Sequence, residues 1–95
     1  MPYITTHDRE QFDDDLEALI TTLKSAPIER NYGAVNYCVT RLVTGALKPE
    51  QGWSYASLSH AIAVLHDAAH EIERRLMNPH EDRARARNGD IDEYT

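Results

Sequence analysis

The stretch His66-Asp67-Ala68-Ala69-His70-Glu71 puts two imidazoles four residues apart, with an acid directly after each. On a helix, residues i and i+4 share a face, which is what the zinc ligands of an H-E-x-x-H motif require. The middle acid here is Asp67, one methylene shorter than the glutamate that acts as base in that motif. A catalytic zinc also needs a third protein ligand, for which Glu73, His60 and His80 are available. A plainer reading competes. His66 and His70 each follow an apolar position, Leu65 and Ala69, and so sit at the edge of an apolar stripe, where polar residues commonly cover a core with their stems. Only the two-histidine part of the motif is present, so no metal is expected, and His66 and His70 would need a third ligand to hold one. The sequence has no nucleophile elbow, phosphate loop or paired-cysteine motif. No catalytic residue, enzyme activity or cofactor is therefore expected.

Anion binding is the second chemistry on offer. "RRLMNPHEDRARARNGD" carries Arg74, Arg75, Arg83, Arg85 and Arg87. Guanidinium groups present forked donors that suit phosphate or carboxylate, and a helix starting near Pro79 would add free backbone amides. Arg74, Arg75, His80, Arg83 and Asn88 are the candidates there. Against this, Arg74 and Arg75 can simply complement the negative end of their own helix, and Glu81 with Arg85 can form an ordinary exposed pair. In "NYCVTRL", Tyr37 and Arg41 point away from the stripe of Val35, Cys38 and Leu42, while Asn36 and Thr40 form a second polar row. A Tyr ring can stack on a base and Asn can read its edge, but the same ring can equally pack against a second subunit. Asn36, Tyr37, Thr40 and Arg41, together with Tyr55, complete the candidate ligand set.

The elements that must position these residues are helices. The first is expected over residues 7–24, with Phe12, Leu16, Leu19, Ile20 and Leu23 on one face, Thr6 as N-cap, and Ala26-Pro27 as its end. A second is expected over 31–47, with Val35, Cys38, Val39, Leu42 and Ala46 as its stripe. "KPEQG" reads as a loop. The third and longest runs over 54–77, with Ser54 as cap and Trp53 as a hydrophobic staple. Tyr55, Leu58, Ile62, Leu65, Ala69, Ile72 and Leu76 alternate gaps of three and four, an uninterrupted heptad seam. Ala56, Ala61, Ala63 and Ala68 flank it, so neighbouring helices can come close. Asn78-Pro79-His80-Glu81 reads as a fresh start, giving a short kinked helix over 79–87 stopped by Asn88-Gly89, with 88–95 as a tail.

Bulk properties exclude several classes. Ninety-five residues make one domain, 1–95, with a modest core whose faces a partner copy can complete. Ten Lys+Arg against 16 Asp+Glu give a net charge of −6, which disfavours long nucleic acid. The charge is uneven: residues 74–87 carry five arginines against two acids, net +3, leaving −9 elsewhere. An acidic body with one basic segment can attract a small anion while repelling a polyanion. The single cysteine, Cys38, allows no intrachain disulfide and fits a reducing cytoplasm. "MPYITTHDRE" has no signal-peptide pattern, and no apolar run approaches the ~20 residues of a membrane helix, so no membrane association is expected.

"MPYI", "NYCVTRL" and "ERRLMNPHEDRARARNGD" resemble a family of short phage and bacterial proteins of unknown function. Its pattern opens M-P-Y-I, carries an N-Y-x-I-T-R-L block and a Y-x-x-x-N-x-x-x-G-V-L helix, and finishes R-R-x-x-x-P-Y-E-D-x-x-x-x-x-N-G-D. Nearly the whole chain is covered. By position the pattern marks Asn36, Tyr37, Thr40, Arg41, Leu42, Tyr55, Arg74, Arg75, Pro79, Glu81, Asp82, Asn88, Gly89 and Asp90. Ser59 and Ala63 stand where it has Asn and Gly, His80 replaces its Tyr, and His66 and His70 fall outside it. The resemblance implies an all-helical fold and a phage or mobile-element setting, and it supplies no activity.

The expected fold is all-α: a small three-helix bundle with a long C-terminal helix and a short kinked terminal helix, assembled as a homo-oligomer in the cytoplasm (the bacterial host's, if phage-encoded). The expected function is non-enzymatic binding, in which a pocket between subunits sequesters a small anionic nucleotide immune signal, by analogy with phage "sponge" proteins. The alternative is a protein–protein interaction module acting on a host or phage protein.

Overall fold

A computed structural model describes residues 3–94; the Met-Pro of the opening motif lies outside them. The described residues are helical, with no strand, and divide into two compact units, Met1–Gly52 and Trp53–Thr95. None of the helices is long and apolar enough to cross a membrane.

The first unit holds α1 (Thr6–Lys24) and α2 (Ile28–Leu47), which touch each other. The N-cap of α1 is Thr5, one residue before the expected Thr6: its hydroxyl accepts from the Asp8 amide at 3.2 Å. Arg9 Nε donates to the Ile4 carbonyl at 2.9 Å and so ties the entering chain to the first turn. The Ser25 hydroxyl donates to the Thr22 carbonyl at 2.7 Å as α1 ends, and Pro27 keeps the chain extended, with φ −55° and ψ 141°. Helix α2 then begins at Ile28, three residues before the expected Asn31. A proline just outside a helix lacks only an N–H that would have no intrahelical partner anyway, so the helix can start directly behind it. Asn31 does something else: its Nδ2 donates to the Leu23 carbonyl at 3.0 Å, a second donor beside the Ala26 amide at 3.2 Å for an acceptor in the last turn of α1. At the far end, Lys48 is extended before Pro49, as a residue preceding proline tends to be. The Gly52 amide closes a turn onto the Pro49 carbonyl at 3.0 Å, with Gly52 at φ +92°.

The second unit is one long helix followed by a turn. Ser54 caps it as expected, through a reciprocal pair: the Ser57 amide donates to Ser54 Oγ at 3.1 Å and the Ser54 amide to Ser57 Oγ at 2.9 Å. Helix α3 (Tyr55–Ile72) passes into a π-helical segment, Glu73–Met77, and on into α4 (Asn78–Asn88). The expected fresh start at Asn78-Pro79 is therefore corrected. Asn78 is itself helical, with φ −62° and ψ −45°, no side-chain cap bond is made there, and its amide donates to the Glu73 carbonyl five residues back. Pro79 has no N–H to offer the Arg75 carbonyl, and the wider π turn carries the chain past that gap without breaking the rod. The helix stops where expected, at Gly89, whose φ of +86° suits a residue without Cβ and whose amide reaches the Arg85 carbonyl at 2.7 Å. The tail makes one 3₁₀ turn, Asp92–Tyr94. The run from Tyr55 to Asn88 is 34 residues, about 51 Å at 1.5 Å per residue.

Among the described residues, Ala61 is the one apolar side chain that is buried, and no large side chain is fully enclosed. The expected stripes exist, but they lie open: Phe12, Leu16 and Ile20 on α1, Val35, Val39 and Leu42 on α2, and all the large residues of the α3 seam are exposed.

Candidate functional site

Three places hold the chemistry-bearing residues. The first is the outer face of α2. Arg41 Nη1 donates to Tyr37 Oη at 3.2 Å, and the guanidinium carbon lies 5.9 Å from the centre of the same ring. One helical turn separates the two residues, so the contact follows from i,i+4 spacing. The Tyr37 hydroxyl raises the Arg41 pKa further above its ordinary value, which keeps the group a cation at any ordinary pH. Asn36 and Thr40 stand beside them, but the Thr40 hydroxyl donates to the Asn36 carbonyl at 2.8 Å. Of this row, Tyr37 and Arg41 form a paired, solvent-facing cation and ring.

The second place is the junction of α3 and the π segment. Glu71 is 8% exposed although ionised, and Arg74 grips it with a fork: Nε to Oε1 at 2.9 Å and Nη2 to Oε1 at 2.8 Å. The hydrogen bond from Arg74 lowers the carboxyl pKa against the opposing effect of burial. Arg74 is thus committed to an internal carboxylate, in a role the sequence reading had not assigned. Its signal was the i,i+3 acid–arginine spacing within "HEIERR". Just before it, the His66 and His70 rings meet edge to face with centroids 6.3 Å apart. Among the described residues, no three His, Cys, Asp or Glu side chains are grouped to hold a metal ion.

The third place is α4, which carries His80, Arg83 and Asn88. Arg85 Nη2 lies 3.6 Å from Asp82 Oδ1, so the exposed pair joins residues three apart, where the sequence reading had joined Arg85 to Glu81. A shallow hollow of about 370 Å³ is lined by Glu81, Asp82, Arg85, Asn88 and Asp90. Three carboxylates against one guanidinium make it a poor seat for an anion. The expected anion site also loses its backbone donors, because the helix has no free N-terminus at Pro79.

The candidate ligand residues of the second unit do not converge. Tyr55 and Arg74 lie on one rod nineteen residues apart, about 28 Å along its axis; His80, Arg83 and Asn88 lie further still. What the structure does present are open apolar hollows. One, of about 420 Å³, is lined by Tyr3, Ile4, Phe12 and Leu16 together with Arg9 and Asp13. Another, of about 500 Å³, runs along α2 between Ile28, Tyr32, Val35 and Val39, with Asn31 and Asn36 beside them.

Residues 1–91 match the model of a family described as Domain of unknown function (DUF6899). No curated protein and no solved structure shows significant similarity to the chain.

Proposed function

The chain belongs to the DUF6899 family, and we propose that it acts as a non-catalytic helical interaction module, completed by self-association and engaging other protein through its apolar helix faces. One observation carries this reading: most of the large apolar residues spaced along the stripes of α1, α2 and α3 are exposed in the chain, while Leu19, Leu23 and Cys38 are half-buried. Contiguous exposed apolar surface marks association sites, because leaving it in water forgoes about 25 cal/mol for each Å². The cytoplasm, and a phage or mobile-element setting, belong to the same reading. The test is native mass spectrometry of the full chain expressed in a bacterial host. The reading expects complexes of defined stoichiometry. A chain that is monomeric, free of partners and stably folded removes it.

Tyr37 and Arg41 support a second reading, sequestration of a small anionic nucleotide at a subunit contact. A solvent-facing ring and a permanent cation together can stack on a base and pair with phosphate. Isothermal titration with cyclic and linear nucleotides should then give saturable heat that disappears in Arg41→Ala. No heat across such a panel leaves the interaction module alone.

A further inference from the structure

We infer that Asn88 is a site of spontaneous modification, converted through a cyclic imide to aspartate and isoaspartate when the last turn of α4 opens. The chemistry is intramolecular and takes only water as co-reactant. In an Asn-Gly pair the backbone nitrogen that follows the asparagine can reach its side-chain carbonyl carbon, because glycine has no Cβ to crowd the approach. Asn88 is the asparagine of this chain that precedes a glycine. Asn31 and Asn36 precede tyrosines, and Asn78 precedes Pro79, which has no N–H to lose.

The fold sets the rate. Asn88 is the last residue of α4, and helical geometry holds its side-chain carbon away from the next amide. The Gly89 amide is engaged as well, donating to the Arg85 carbonyl at 2.7 Å. That bond has to open, and residue 88 has to leave the helix, before the nitrogen can attack. Helix ends fray readily, and little holds this one. The run Asn78–Asn88 contains no large apolar residue, so the last turn has no side chain to anchor it by apolar packing. Openings of this local kind cost little free energy, and the reaction proceeds from the minor frayed state.

The steps balance without an oxidant or a reductant. The Gly89 nitrogen gives up its proton and bonds to Asn88 Cγ, the Cγ–Nδ2 bond breaks, and ammonia leaves with that proton. Water then opens the imide at either carbonyl. Attack at Cγ restores the main chain and leaves an aspartate. Attack at the Asn88 backbone carbonyl carbon leaves the chain running through the side chain, as isoaspartate. Either product places a carboxylate at the C-terminal end of α4, where the helix dipole opposes it, and isoaspartate also lengthens the main chain by a methylene. The Gly89 cap is therefore weaker in the product, and the modification holds open the turn that admitted it.

The experiment ages the full chain in heavy-oxygen water at mildly alkaline pH, once folded and once in urea. Peptide mapping, with fragmentation that separates aspartate from isoaspartate, follows Asn31, Asn36, Asn78 and Asn88. In the folded chain the label should enter at Asn88 several-fold faster than at the other three, with isoaspartate the larger product. Urea should speed the reaction at Asn88 several-fold more. Asn88→Gln, whose longer side chain must close a larger ring, should keep its amide over the same period. Faster labelling of Asn31 or Asn36 than of Asn88 in the folded chain overturns the site. Equal rates at Asn88 with and without urea overturn its control by the end of α4. Aspartate as the sole product, or an equal loss of amide from Asn88→Gln, overturns the imide route.

Discussion

Glu71 is the side chain whose environment departs most from that of a surface acid. It is enclosed on the rod and ionised because Arg74 supplies a fork of donors. Its folded pKa lies below the ordinary carboxylate value, so the folded state binds its proton less readily than the unfolded chain does. The stabilisation is therefore complete at neutral pH, above the unfolded value, and is lost as pH falls through the lower folded value. Glu71→Gln should melt below the parent at pH 7, and the gap should narrow as the solution is acidified past the carboxylate range. A gap that stays constant with pH would mean that shape, and not charge, holds this position. The pair also shows what the arginine segment alone leaves open. Sequence shows five arginines in a row of fourteen residues, but which are spent on an internal partner depends on where the helix ladder carries them.

The elements show which features are local enough to read from a string of residues. Ser54 as cap and Gly89 as stop were legible, because a cap bond reaches three residues and a left-handed glycine acts at its own position. The start of α2 was not, since Glu29, Arg30 and Asn31 carry no apolar period and Pro27 can precede a helix as well as interrupt one. The π segment was equally hidden: Asn-Pro-x-Glu is the signature of a helix start, and only the ladder's shift to a five-residue bond lets it sit inside a rod. Pro79→Ala restores the missing donor, so it should return the segment to α geometry, slow amide exchange over residues 73–80 and raise the melting temperature. Unchanged exchange there would show that the proline is not the cause of the π turn. A second change tests α2. A Cβ at Gly33 meets nothing within 4 Å, so Gly33→Ala should stabilise the helix by about 0.5–1 kcal/mol through reduced backbone entropy. A drop in melting temperature would instead place Gly33 at a close helix contact in the assembly.

For the molecule as a whole, the heptad and helical periods reported faithfully which residues share a face, yet they could not say what covers it. Val35, Val39 and Leu42 share one stripe of α2, as their spacing predicts, and the structure leaves that stripe open. The same limit dispersed the ligand candidates: Tyr55 and Arg74 belong to one element but to distant turns of it. The account's central claim is that another chain closes these faces, and mass action tests it most directly. If folding and association are linked, the melting temperature of the full chain must rise as its concentration is raised from the low to the high micromolar range. The account predicts that rise, together with its loss in Ile62→Glu/Leu65→Glu. A melting temperature independent of concentration, in a cooperative transition, would contradict it.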